Sequence, residues 1–185
     1  MKRIFLSIAS LFLFYQSYSL LTNLDQLTIA SFWGNLLMAW VLNMIITGAF
    51  AFMVFAWPAA KLLPDAYYEI SNPSSLKSIF KLLGGERFRK FLLLTFWKNK
   101  SRQKEYFTGK KSGLLGLDFQ SRQSEFGHLL PFVILLITSG LLIWENLYVL
   151  AFLTLVFNIA GNFYPILLQR HHRMRISSIL QRQKG

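Results

Sequence analysis

Residues 28–57 read TIASFWGNLLMAWVLNMIITGAFAFMVFAW, thirty consecutive residues without a formal charge, closed by Pro58. At the 1.5 Å rise of an α-helix the run is about 45 Å long, against a hydrocarbon core about 30 Å thick. It therefore reads as a membrane-spanning helix that tilts, or whose first turns around Trp33 lie in the headgroup region. Within it, Asn43 reads as interhelical glue. Three further stretches of similar character follow from the same criterion: 4–21, 129–143 continuing into Trp144, and 147–168, the last two joined by a short turn at Glu145-Asn146.

The rest of the chain agrees with this reading. Of 185 residues 54% are hydrophobic, 18 are Phe and five are Trp, and mean hydropathy is +0.39. A soluble domain of 21.5 kDa has no interior large enough to hide such a fraction, and the excess would be left as sticky patches on its surface. A net charge of +12 would otherwise suggest nucleic acid, but the apolar excess argues against such a partner. The absence of cysteine excludes disulfides, thiolate metal sites and Cys nucleophiles.

The positions of the charges set the orientation. Of the 20 basic residues, Lys2 and Arg3 precede the first stretch, 13 lie between Lys61 and Arg122, and five lie between Arg170 and Lys184. Cytoplasmic segments collect Lys and Arg, so the predicted fold is all-α: a polytopic membrane protein of four transmembrane helices with both termini in the cytoplasm. Its parts are an N-terminal transmembrane hairpin (1–58), a basic cytoplasmic segment of interfacial helices (59–128), a C-terminal transmembrane hairpin (129–169) and a basic tail (170–185). The first stretch also resembles a signal peptide, with Lys2-Arg3 before the apolar run and Ser17-x-Ser19 after it. Its apolarity continues past the length of such an h-region, which favours a span.

Within 59–128, Leu63-Pro64-Asp65 and Ser71-Asn72-Pro73-Ser74 are turn and helix-start signals. From Ser75, the spacing Leu76, Ile79, Phe80, Leu82, Leu83 with Lys77 and Lys81 opposite predicts an amphipathic helix lying on the membrane surface, broken by Gly84-Gly85. Phe88 and 91–97 form a second apolar run too short to span. Trp97-Lys98-Asn99-Lys100 ends it with an interface anchor and a basic cluster, and 109–116 reads as a loop. Attraction to anionic lipid explains most of the basic clusters. The sharper reading is that some of them bind an anionic substrate.

Polar groups at the membrane boundary are the candidate chemistry. Glu125 and His128 stand at i and i+3 on one helix face. Counting back from the 145–146 turn sets His128 opposite Asn162, with Asn158 one turn deeper, and sets Gln169 and Arg170 near Arg122 and Glu125. The plainer reading of Glu125 and His128 is an interfacial ion pair. The sharper is an imidazole oriented to act as a general base on a hydroxyl, with an Asn or Arg nearby for an oxyanion. His171-His172 point about 100° apart on a helix and chelate poorly, so no metal is expected.

The ending Asn162-Phe163-Tyr164-Pro165-Ile166-Leu167-Leu168-Gln169-Arg170, then Arg173-x-Arg175, after an upstream Glu125-x-x-His128, resembles the glycosyl-4,4'-diaponeurosporenoate acyltransferase family. Gly85, Trp97-Lys98-Asn99-Lys100 and the Leu63-Pro64-Asp65 turn add to the resemblance, which covers roughly residues 40–180. Three features depart from the family pattern: Leu82 and Leu83 stand where a Glu is usual, Gln120 where an acidic residue is common, and His171-His172 where Tyr-Asn is more frequent. The resemblance implies a small multi-pass protein of the bacterial cell (inner) membrane, acting in the last acylation step of staphyloxanthin-type carotenoid synthesis. It would transfer a fatty acyl group from an acyl thioester, such as acyl-CoA, to a hydroxyl of a lipid-soluble acceptor, with membrane lipids as its other partners and no further cofactor. Under this reading His128, oriented by Glu125 or Asn162, is the base. Arg122, Gln169, Arg170, Arg173, Arg175, Trp97, Lys98 and Lys100 bind substrate. Another lipid-modifying transferase using the same rim, or a non-catalytic membrane subunit, are the competing expectations.

Overall fold

The computed structural model describes residues 1–27, 29, 31–95 and 111–182. Among these the chain is helical, with no strand. Four helices are long and apolar enough to cross a membrane: Lys2–Thr22, Phe32–Ala56, Gly113–Trp144 and Tyr148–Leu180. The helices form two compact units, Met1–Ala59 with Phe126–Pro165, and Ala60–Glu125 with Ile166–Gly185.

In the first unit, helix α1 (Lys2–Thr22) packs along α2 (Phe32–Ala56). Small residues permit the close approach that drives association where both helices are equally apolar. Ser10 Oγ donates to the Ala49 carbonyl at 2.8 Å, and a Cβ on Gly48 would stand 3.0 Å from Leu13. Phe14 meets Phe50 edge to face at 4.9 Å, and Trp57 Nε1 donates to Ser7 Oγ at 3.1 Å. Helix α2 starts later than the uncharged run, because Ser31 caps it by accepting from the Gly34 N–H at 3.0 Å. It ends at Trp57, held extended before Pro58. Asn43 is the interhelical tie expected of it, donating to the Thr154 carbonyl at 3.2 Å. A core of Leu24, Ala39, Leu42, Leu142, Leu150 and Ala151 closes the end nearest the two turns.

The last two spans form the expected hairpin. Helix α6 (Lys111–Trp144) turns at Glu145-Asn146, with Asn146 left-handed at φ 61°, into α7 (Tyr148–Asn158). The return path is not one regular helix. Residues Ile159–Phe163 form a π-turn before α8 (Tyr164–Arg182).

In the second unit, α3 (Asp65–Tyr68) is a single turn after Pro64. Helix α4 (Pro73–Leu82) is capped by Asn72, whose Oδ1 accepts from the Ser75 N–H at 3.0 Å, with Pro73 in the first turn. Gly84, at φ 70°, ends it and α5 (Gly85–Thr95) follows. The amphipathic spacing is realised: Phe80 is buried, while Ile79, Leu82 and Leu83 remain exposed.

One sequence expectation is corrected. Residues 111–116, assigned to a loop on account of their glycines, belong to α6. The glycines give way to a longer-range pattern, in which Leu114, Ser121 and Glu125 recur on one buried face. The basic tail is helical as far as Arg182, with Ile176 and Arg173 buried. Trp97, Lys98 and Lys100 lie outside the described residues.

Candidate functional site

Two polar clusters stand out, one in each unit. In the first, α6 contributes His128 and the Phe132 carbonyl, α2 contributes Thr47, and the returning arm of the helical hairpin contributes Asn158 and Asn162. His128 Nδ1 lies 3.1 Å from Asn162 Oδ1. Asn162 Nδ2 donates to Asn158 Oδ1 and to Thr47 Oγ1, both at 3.0 Å. Asn158 Nδ2 donates to the Phe132 carbonyl at 3.0 Å. Asn158 and Asn162 are 0% and 1% exposed, so these bonds are made without competition from water.

The direction of the chain is fixed at its far end. A backbone carbonyl only accepts, so Asn158 must turn its amide nitrogen to Phe132 and its oxygen to Asn162. Asn162 must then present nitrogen to Asn158 and oxygen to His128. An amide oxygen accepts, so Nδ1 of the imidazole carries the proton. In the neutral ring this tautomer leaves the lone pair on Nε2. The Gly161 carbonyl is a second acceptor beside the ring. Pro131 lies one turn beyond His128 and has no N–H, which frees the Gly127 carbonyl of its helical partner. Gly127 itself faces α2, where an added Cβ would stand 3.1 Å from Val54.

The π-turn belongs to this cluster. A π-turn accommodates one extra residue and re-aims the side chains it contains, and such turns recur at functional positions. Here it contains Asn162, the residue that fixes His128.

The second cluster surrounds Glu125, which is 0% exposed. Its two oxygens accept from Arg170 Nε at 2.9 Å and from Arg173 Nη2. Arg173, 2% exposed, also donates to Ser121 Oγ at 3.0 Å. Arg170 donates to the Tyr67 carbonyl at 3.3 Å and lies over the Tyr67 ring, 4.8 Å from its centroid. Arg122 and Arg173 both stand over the Tyr68 ring, at 5.2 and 5.3 Å. Arg122 is further paired with Asp118 at 2.8 Å and Asp65 at 2.5 Å. Three guanidinium groups thus meet three carboxylates. Burial, and next the Glu125 charge, raise the Tyr67 phenol above its ordinary range and push that of Tyr68 up to about 12. Both rings therefore stay neutral at physiological pH.

The hairpin count is met at each level: His128 with Asn162, and Gln169 with Ser124, to which its Nε2 donates at 3.1 Å. The carboxylate of Glu125 binds Arg170 and Arg173, and the amide of Asn162 is the partner of the His128 ring. Arg173 is enclosed with its counter-charge, whereas Arg170 is half-buried and Arg175 exposed. His171 is packed rather than presented: its ring stacks on Phe80 at 4.0 Å and 7°. A Cβ on Gly85 would fall 2.5 Å from that Phe80 ring, so Gly85 is set by steric need. Sequence reasoning missed Thr47, Tyr67, Tyr68 and Ser121. An available signal was the aromatic pair Tyr67-Tyr68, one residue after the Leu63-Pro64-Asp65 turn.

The family model for glycosyl-4,4'-diaponeurosporenoate acyltransferase matches residues 64–182, more than half of the chain. The chain belongs to this family. The acyltransferase family's match takes in α3 to α8, both Glu125 and His128, and all of the Asn162 to Arg175 ending; α1 and α2 lie before it. It starts later than residue 40, where the sequence resemblance was set. Comparison with curated proteins and with solved structures gave no match.

Proposed function

We propose that this protein transfers a fatty acyl group from an acyl thioester to a hydroxyl of a glycosylated, carotenoid-like acceptor held in the bilayer, at the cytoplasmic face of a bacterial cell membrane. The activity for which the family is named and the four apolar helices support the class. The observation that carries the assignment is the hydrogen-bond chain of fixed direction from Phe132 through Asn158 and Asn162 to His128 Nδ1. It gives a ring of defined tautomer whose Nε2 can accept a proton.

In the proposed step, Nε2 of His128 removes the acceptor's hydroxyl proton as its oxygen attacks the thioester carbonyl. The C–O bond forms, the C–S bond breaks, and the departing thiolate takes the proton back from the imidazolium. Asn162 is a positioning residue, since it acts through His128. Arg170 and Arg175, with Lys98 and Lys100, are the proposed contacts for the donor's anionic part.

The test is purified His128→Ala supplied with acyl-CoA and the glycosylated carotenoid, its product measured by mass spectrometry. The expected result is a loss of turnover of at least about a hundredfold, the lower range for a general base. Full turnover by this variant overturns the assignment. Asn162→Ala is expected to lower kcat with little change in KM, because the ring loses orientation and not substrate contacts.

A further inference from the structure

The second unit contains a cleft of about 460 Å³ lined by Ala60, Lys61, Leu63, Pro64, Asp65, Phe119 and Arg122, a volume in the range of ligand sites. One wall is the 60–65 backbone, tied in place by the Ala60 N–H donating to Gln123 Oε1 at 2.5 Å and by Tyr68 Oη donating to the Ala60 carbonyl at 3.1 Å. The other is α6. The first wall follows α2 in sequence and the second belongs to α6, both helices long enough to span a membrane.

The cleft's two cations differ in how they are held. Arg122 is oriented before any ligand arrives: its Nε is bound to Asp118 at 2.8 Å and its guanidinium lies over the Tyr68 ring. Its Nη1 edge turns to Asp65, whose side chain is 89% exposed. Lys61 is exposed and, among the described residues, is in no ion pair. An exposed carboxylate on a pre-oriented arginine is a weak and replaceable partner. A phosphate carries more charge and matches the guanidinium edge better. The remaining lining, Leu63, Pro64 and Phe119, is apolar.

We propose that this cleft binds the phosphate of an amphiphile, with Lys61 and the Nη edge of Arg122 on the phosphate and Leu63, Pro64 and Phe119 against its apolar portion, Asp65 being displaced into water as the phosphate enters. The inference rests on the acyl-transfer reading for its sense: the ligand is a phosphate ester attached to an acyl chain, from either a fatty acyl-CoA donor or an anionic phospholipid. Asp65 is then a competitor built into the site, which lowers its affinity for weak anions.

Full-length protein carrying His128→Ala, in phosphatidylcholine nanodiscs, tests this by direct binding of palmitoyl-CoA, so that the outcome does not depend on turnover. Lys61→Gln is expected to weaken binding about tenfold, and Asp65→Asn to strengthen it severalfold. Lys61 is exposed and Asp65 nearly so, so both variants should keep the fold. Repeating the titration with phosphatidylglycerol in the discs separates the sources. Competition that disappears with Lys61→Gln assigns the cleft to the lipid headgroup; unchanged binding assigns it to the thioester. Affinity indifferent to Lys61→Gln, or weakened by Asp65→Asn, overturns the cleft while leaving the His128 chemistry standing. Loss of the His128 assignment with these shifts intact does the reverse.

Discussion

Glu125 is the residue on which the second unit most depends. A fully buried carboxylate between two arginines is not in itself strongly stabilising, since desolvation offsets most of the attraction. Removing its charge is another matter, because Arg170 and the enclosed Arg173 would lose their shared counter-ion. Glu125→Gln is expected to destabilise the protein by about 3–5 kcal/mol, read as a fall in the thermal unfolding midpoint in detergent. An unchanged midpoint would mean that the pair is not formed. Tyr68 gives a pH signature. Its folded value of about 12 stands above the ordinary 10, so the native state keeps a proton that the unfolded chain releases earlier. This contribution is complete below pH 10 and is lost as pH rises from 10 towards 12. Wild-type stability should therefore fall more steeply over that window than that of Tyr68→Phe, which starts about 1 kcal/mol lower for want of the bond to Ala60. Parallel curves would refute the shift.

At the scale of elements, the π-turn at Ile159–Phe163 interrupts the last span at the residue that orients His128. Deleting Gly161, which is exposed and has nothing within 4 Å of an added Cβ, should restore a regular helix. The protein is expected to fold, while transfer drops as far as in Asn162→Ala because Asn162 is re-aimed. Retained activity would show that the turn is incidental. Helices α4 and α5 carry apolar side chains that make little contact within their own unit, among them Leu82 at 85% and Leu94 at 75% exposed. Leu82→Asp should leave the unfolding midpoint in detergent within about 0.5 kcal/mol of wild type, as for other surface changes, while reducing protection of α4 from protease in vesicles containing anionic lipid. Equal protection would remove the interfacial reading.

Across the whole molecule, the charge distribution makes a prediction of orientation that the chain's lack of cysteine makes simple to test. Ser178→Cys, on the exposed surface of α8, should react with an impermeant maleimide only from the cytoplasmic side. Asn146→Cys, in the tight turn, should react only from the opposite side. The reverse pattern would invert the topology. Membrane class, the number of spans and the α6–α7 turn were all legible in the chain, because a bilayer imposes one-dimensional rules of length and charge. So was the depth of His128 against Asn162, because a short turn leaves a hairpin only one register. The extension of α6 back to Lys111 was hidden, since its glycines read locally as a loop and its burial pattern needs partners distant in sequence.

The same division holds for the chemistry. Sequence alone picked out Glu125, His128, Asn162 and Arg170 as the candidate polar residues, and the family match over 64–182 includes all four. Only the tertiary structure decided how they are shared out. Glu125 divides its two oxygens between Arg170 and Arg173, and an amide chain ending on a backbone carbonyl sets the tautomer of His128. Spacing along a helix fixes depth and face, but the direction of a hydrogen bond depends on which donor or acceptor the neighbouring helices bring to it.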